Sequence, residues 1–224
     1  MDFVGTVLAD TEDTWSQIFQ QQLGQQYVPP KLVMFSGVIN SGCGTAQSAM
    51  GPFYCPADQK VYIDTAFFKD MRTQMGIGGE QNQTELARQD QAGDFAQAYV
   101  VAHEVGHHIQ TILGISEQVQ KARAQGSKAQ GNALSVRQEL QADCLAGVWA
   151  HHNNQRTQFL EQGDVEEAMD AAHKIGDDYL QKRATGQVLP DSFTHGTSQQ
   201  RMTWFGTGFK SGQVESCDTF NQAI

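Results

Sequence analysis

His103-Glu104-Val105-Gly106-His107 sits inside an apolar run, Asp94-Phe95-Ala96-Gln97-Ala98-Tyr99-Val100-Val101-Ala102, that reads as one helix ending near Gly114. On an α-helix His103 and His107 are i and i+4, so both imidazoles leave the same face one turn apart. Two neutral ring nitrogens so placed reach one tetrahedral zinc ion at about 2.0–2.1 Å. Glu104 points roughly 100° further round the helix, out of the ligand row but able to flank an open coordination position. A carboxylate there takes a proton from a zinc-bound water. Gly106 reads as a residue that keeps space near the metal open. A His pair at this spacing arises often by chance, so the motif needs a third ligand elsewhere in the chain.

Glu139-Leu140-Gln141-Ala142-Asp143 supplies one. Glu139 and Asp143 are again i and i+4, two carboxylates on one helical face. Around them Ala142, Leu145, Ala146, Val148 and Trp149 make the helix largely buried, where unpaired acids are costly. Glu139 completes a His/His/Glu set and leaves the fourth position for water, as a catalytic zinc requires. Asp143 is placed to accept the outer N–H of a ligating histidine and hold its tautomer. An oxyanion that develops during hydrolysis needs a donor, and His195, in a loop before the last helix, suits that role. Read alone, His195 is equally an ordinary loop histidine. Arg201 either assists it or pairs with an acid in the core. Tyr99 is a weaker donor candidate and fits the core better, while His108, His151, His152 and His173 read as surface or packing residues.

The 224 residues suffice for one substantial domain, and 39% hydrophobic with 18% charged residues is ordinary for a globular protein. A net charge of −10 argues against nucleic-acid binding through a basic surface. No run approaches the roughly 18–20 consecutive apolar residues of a membrane span, and the start lacks the pattern of a secretory signal. Cys43, Cys55, Cys144 and Cys217 form no C-x-x-C pair. Cys43 and Cys55 flank a Gly/Pro-rich loop whose closure by a disulfide would contribute about 3 kcal/mol, and a bridge from Cys144 to Cys217 would pin the tail. Two disulfides imply an oxidising compartment, periplasmic or extracellular, whereas four reduced thiols would fit the cytoplasm.

In chain order, residues 1–9 read as a lead-in or linker and 10–224 as a single domain. A helix capped by Asp10 or Thr11 carries Trp15, Ile18, Phe19 and Leu23 and ends at Gly24. Lys31–Ser36 is a strand, 37–52 a cysteine loop, and Phe53-Tyr54 and Lys60–Ile63 two strands joined at Pro56-Ala57-Asp58. Thr65 to Met75 is a short helix, and Gly76 to about Thr84 a flexible loop or a lid. Residues 116–131 are a short helix and a loop. Further helices run from Leu134 to His151, with a turn at Asn153-Asn154, from Asp164 to Ala184, and from Thr197 or Ser198 through Phe205.

Taken together, the His103–His107 motif, Glu139–Asp143, Phe193-Thr194-His195-Gly196-Thr197-Ser198 with Gln200-Arg201, Gly51-Pro52-Phe53-Tyr54-Cys55-Pro56 and Val61-Tyr62-Ile63-Asp64 resemble the bacterial neutral zinc metallopeptidase family of the YpfJ type. The resemblance covers nearly the whole chain. More distantly, Glu139-x-x-x-Asp143 and the spacing from His195 to Arg201 are similar to the HtpX and CAAX-protease gluzincins. That resemblance implies Glu139 as third ligand and His195 with Arg201 as transition-state or substrate contacts. Family members often begin with a membrane anchor, which these residues lack, so the resemblance implies a domain held at a membrane. The expectation is therefore an α+β, zincin-like domain with a small, mostly antiparallel sheet packed on the active-site helix. It binds one Zn2+ and hydrolyses an extended polypeptide held by strand addition along Lys60–Ile63. A zinc hydrolase of a non-peptide amide, such as a cell-wall bond, and a non-catalytic zinc-binding module that holds polypeptide are the alternatives. Oligomeric state is not legible.

Overall fold

The computed structural model describes residues 2–47, 51–68, 94–158, 160 and 163–224. Helix α1 (Asp2–Ile18) runs into a π turn (Phe19–Leu23) that stops at Gly24 in the left-handed conformation. Strands β1 (Lys31–Phe35), β2 (Val38–Ser41), β3 (Gly44–Gln47), β4 (Phe53–Cys55) and β5 (Lys60–Asp64) follow. The remaining helices are α2 (Asp94–Ile112), α3 (Ile115–Gln125), α4 (Lys128–Thr157), α5 (Asp164–Lys174), α6 (Asp177–Thr185) and α7 (Ser198–Ser211), and a 3-10 turn (Val214–Cys217) precedes the C-terminus. Among the described residues, no helix is long and apolar enough to cross a membrane.

The fold is α+β, with helices dominating. Its three-stranded sheet has the order β1-β5-β4 and is mixed: β5 is parallel to β1 and antiparallel to β4. The expectation of a mostly antiparallel sheet is corrected by that β1–β5 pairing, which runs the full length from Lys31↔Lys60 to Phe35↔Asp64. Strand alternation divides the side chains between two faces. Leu32, Met34, Tyr54, Val61 and Ile63 join the main core under α2, while Val33, Phe35, Phe53, Cys55 and Tyr62 gather with Ile39 on the other side. Ile39 comes from the separate β2–β3 hairpin, which the disulfide Cys43–Cys55 joins to β4. The loop expected over residues 37–52 is thus largely this hairpin.

Helix α4 is the axis of the helical layer and buries residues on nearly every side, from Leu140 to Ala150. Ser127 caps it through a reciprocal pair with Gln130, so it begins well before Leu134. It also continues through Asn153 and Asn154 to Thr157, and Asn153 is 5% exposed rather than in a turn. Helix α7 crosses α4 where glycines allow backbone to touch backbone. A β-carbon on Gly147 would collide with Phe205, and one on Gly208 with Cys144. The single helix expected from Asp164 to Ala184 divides into α5 and α6 at Ile175-Gly176, where Gly176 takes an extended conformation (ψ 144°) and its backbone packs directly against Ser198.

Residues 1–9 are not a lead-in. Val4, Val7 and Leu8 are at most 7% exposed and extend the buried stripe of Thr11, Trp15 and Ile18 back by two turns. Thr11 lies inside the helix, with its hydroxyl donating to the Leu8 carbonyl. The helix expected at Thr65–Met75 and the segment Gly76–Thr84 lie mostly or wholly outside the described residues.

Candidate metal centre

Helix α2 presents His103 and His107, and α4 presents Glu139 across from them. Gly106 is what lets the two helices approach: a β-carbon there would meet the Ala142 carbonyl at 2.9 Å and its Cα at 3.0 Å. Gly106 therefore faces α4 and does not hold open a space at the metal. Glu139 Oε2 lies 3.2 Å from His103 Nε2, and Glu139 Oε1 lies 3.5 Å from His107 Nε2. Ligands about 2.0–2.1 Å from a tetrahedral zinc stand about 3.3–3.4 Å apart. Among the described residues these three form the one group of His, Cys, Asp or Glu side chains with donor atoms mutually close enough to share a cation.

The outer nitrogens of both histidines are engaged, which turns each Nε2 toward the shared centre. His103 Nδ1–H donates to Asp143 Oδ1 at 2.8 Å. His107 Nδ1–H donates to Gln110 Oε1 at 2.9 Å. Such outer contacts fix the tautomer and orientation of a ligating imidazole. The donor set, its spacing and its tautomers all fit a zinc ion.

Asp143 is 0% exposed and is the most heavily partnered acid of the site. Arg201 grips it with two arms, Nε to Oδ2 at 2.8 Å and Nη2 to Oδ1 at 2.8 Å, and the Tyr99 hydroxyl donates to Oδ1 at 2.5 Å. Arg201 is itself only 2% exposed. It pairs with an acid in the core, Asp143, and its Nη2 also lies 3.4 Å from His103 Nδ1. Tyr99 is a core residue for the same reason. Burial opposes the charge on Asp143, but Arg201 and His103 overcome it and bring the pKa down to about 2. In the metal-free protein burial likewise opposes protonation of His103, while Asp143 and Glu139 lift its pKa to about 10. Burial would raise Glu139, yet the two imidazoles hold it well below the usual carboxylate range. Glu104, 7% exposed, lies close enough to His107 for its charge to favour the protonated ring.

His195 lies near enough to this cluster to feel the charge of Glu139, and its side chain is half-exposed. Its Nδ1 lies 3.2 Å from Asp177 Oδ1, and Asp177 Oδ2 accepts the backbone N–H groups of Thr194, His195 and Gly196 at 2.7, 2.6 and 3.1 Å. The next residue, Asp178, accepts the Ser198 N–H and hydroxyl at 2.7 and 2.8 Å. Two consecutive acids at the start of α6 thus hold the whole turn that carries His195 into α7, which Thr197 caps with Gln200. The hydrogen bond to Asp177 outweighs burial and raises the pKa of His195, and the charge of Glu139 adds to it. Asp177, Asp178, Gln110 and Gln141 escape a reading of the sequence, because none stands in a ligand-like spacing. Asp177-Asp178 next to Gly176 looks only like a helix start.

The other histidines pack. His108, beside His107, faces away, with Nε2–H donating to the Val28 carbonyl at 2.6 Å and Nδ1 accepting from the Tyr54 hydroxyl at 3.0 Å. His151 and His152 contact the carbonyls of Phe209 and Gly212 at the end of α7. All four cysteines are paired, Cys43 with Cys55 and Cys144 with Cys217. Two disulfides are compatible with an oxidising compartment.

Comparison with known proteins agrees with the geometry. The family described as "Putative neutral zinc metallopeptidase" matches residues 1–220. The Uncharacterized protein YpfJ of Escherichia coli (strain K12) is 52% identical over 222 residues, which is 99% of this chain and 72% of that protein. The Uncharacterized protein Rv2575 of Mycobacterium tuberculosis (strain ATCC 25618 / H37Rv) is 42% identical over 206 residues, 88% of this chain and 64% of that protein. No solved structure matches the chain.

Proposed function

The chain belongs to the neutral zinc metallopeptidase family, and from that premise we propose that it is a zincin-like peptidase of gluzincin type that hydrolyses peptide bonds. The observation that carries this reading is the meeting of His103, His107 and Glu139 from two helices with the carboxylate of Glu104 beside them. One zinc ion per chain, held by those three ligands, would polarise the scissile carbonyl and acidify a water. Glu104 takes the proton of the attacking water and passes it to the leaving amine. His195, oriented by Asp177, donates to the oxyanion. Arg201 and Tyr99 act at a distance, by holding Asp143 against His103. His107 and Glu139 are the ligands whose side chains are partly open to solvent, at 16% and 20%, so substrate approaches from their side.

The substrate in this reading is an extended polypeptide. Strand addition cannot occur along Lys60–Ile63, because β5 is the central strand and is paired on both sides. Among the described residues the edges are β1 and β4. Of the two, β4 lies beside the ligand helix, with Tyr54 bonded to His108 next to His107. Phe53–Cys55 is therefore the edge proposed to pair with substrate. The two disulfides support a periplasmic or extracellular place of work.

Zinc content and casein-type peptide hydrolysis, measured for wild type and Glu104→Gln, test the proposal. We expect one zinc per chain in both proteins and hydrolysis in wild type alone. Zinc in both with equal hydrolysis would remove Glu104 as the base. Zinc in both with no hydrolysis of any peptide by wild type would favour a binding module, and no zinc in either would end the metal reading.

A further inference from the structure

His107 is positioned from the far end of the chain. Its Nδ1–H rests on Gln110 Oε1 at 2.9 Å, and the orientation of that amide is set by what its nitrogen finds. Gln110 Nε2 donates to the Gln138 carbonyl at 2.7 Å and to Gln141 Oε1 at 3.1 Å. Gln141 Nε2 donates in turn to the Cys217 carbonyl at 2.9 Å. Gln110 is 0% and Gln141 9% exposed, so neither amide has water as an easy substitute partner. Were the Gln110 amide to flip, it would turn an N–H toward the imidazole N–H and its oxygen toward the Gln138 carbonyl, losing three bonds at once. The direction of the whole row is thereby fixed by two backbone carbonyls that can only accept, Gln138 against Gln110 and Cys217 at the end against Gln141.

That last member is held by a covalent bond. Cys217 lies in the terminal 3-10 turn and is bridged to Cys144, both at most 1% exposed. Cys144 directly follows Asp143, the partner of His103 Nδ1. One disulfide therefore stands behind the outer partners of both histidines: next to Asp143 in the chain, and under Gln141 and Gln110 in space. Thr219, just beyond, adds a second fastening through its hydroxyl to the Arg137 carbonyl at 2.6 Å.

We infer that Gln110 and Gln141 are positioning residues for the metal-binding nitrogen of His107, and that the Cys144–Cys217 bridge, by fixing the acceptor at the end of this row, sets the affinity of the site for zinc. The inference rests on the proposed His103/His107/Glu139 site. It adds that zinc loading is tied to formation of the tail disulfide, so that the chain holds zinc at full affinity only after oxidation.

Zinc affinity, measured by competition with a chromophoric chelator on folded protein checked by far-UV circular dichroism, separates the possibilities. Gln110→Ala and Gln141→Leu are each expected to weaken zinc binding by about 10–100-fold. Because they act in one row, the double variant should be little weaker than Gln110→Ala alone, a non-additivity that general loosening of the core would not produce. The pair Cys144→Ser with Cys217→Ser should weaken zinc to a similar extent, while Cys43→Ser with Cys55→Ser should leave it unchanged. If the tail-disulfide variant does not fold, Gln141→Leu carries the test with the disulfide intact. Unchanged affinity in Gln141→Leu, or effects of the two glutamines that simply add, would overturn the inference while leaving the zinc site in place. Failure of the wild type to bind zinc would overturn the site itself.

Discussion

Asp177 and Arg201 show how the same residue chemistry serves two ends. Each takes part in an acid–base pair near the centre, but Arg201 is sealed beneath Asp143, whereas in the pair of His195 and Asp177 the imidazole is half-exposed. Removing Arg201 should act through stability: Arg201→Ala leaves the fully buried Asp143 carboxylate short of its main counter-charge, at a cost of about 3–5 kcal/mol, read by thermal or urea unfolding. Changing the outer pair should act on turnover. We expect His195→Ala to lower kcat by about 10²–10³ with KM little altered, and Asp177→Asn to lower it by about 10-fold through loss of orientation. Equal kcat in wild type and His195→Ala would exclude His195 from the oxyanion site. The pair also predicts a pH window. Burial opposes ionising Asp177, but His195 and the backbone N–H groups bring its pKa below the usual value, so its contribution is present above about pH 4 and is lost as pH falls through the lowered pKa. His195 is raised, so its part is full below about pH 6.5 and declines as pH rises through the raised pKa. The ionic part of the contact is thus complete between roughly pH 4 and 6.5, and the hydrogen-exchange protection of the Thr194–Gly196 amides, relative to their intrinsic rates, should be greatest there, with the upper limb absent in His195→Ala.

Helices α2 and α4 form the centre because each repeats a ligand-bearing i, i+4 pair, and that periodicity is why His103, His107, Glu139 and Asp143 were legible as a group. A period specifies a face, not what the face meets. Gly106 illustrates the difference: beside two ligands it suggested room for a metal, and instead it sets the distance between α2 and α4. Gly106→Ala should therefore push the helices apart, with destabilisation of about 1–3 kcal/mol and weaker zinc binding, because Glu139 is carried on the displaced helix. A thermal shift with unaltered zinc affinity would mean that α4 yields locally without moving Glu139. Strands were legible where apolar residues cluster, at Lys31–Phe35 and Lys60–Ile63, but pairing order and direction depend on contacts between distant segments. Lys60–Ile63 has the composition of an edge that could take a substrate strand, although it is the centre of the sheet. The start of α1 was missed because Asp10-Thr11 has the chemistry of a cap while sitting within a longer apolar stripe. Asp177, Gln110 and Gln141 were invisible for a related reason, since a carboxylate or amide that orients a histidine through tertiary contact leaves no spacing in the sequence.

At the scale of the molecule, the site is held by segments from the whole chain: α2 and α4 at the centre, the α6–α7 turn at the rim, and the terminal turn behind His107. The long-range closure is covalent, since Cys144–Cys217 spans 73 residues, for which loop-closure reasoning gives about 4 kcal/mol, against about 3 kcal/mol for Cys43–Cys55 across 12 residues. Zinc should act as a further cross-link, because its three ligands lie on α2 and α4 and come together only in the folded chain. A ligand that binds only the folded state adds RT ln(1 + [L]/Kd), about 2.7 kcal/mol at a hundredfold excess over Kd. In a domain of this size each kcal/mol moves Tm by about 2–4 °C, so zinc at that excess should raise Tm by about 5–10 °C and a chelator should reverse the change. The site's own charges make the control specific. Glu139→Gln keeps the shape of the side chain but removes the anionic ligand, and it should abolish the zinc-dependent part of the shift while leaving both disulfides intact. A zinc-induced shift that persists in Glu139→Gln would place the stabilising ion elsewhere than between α2 and α4.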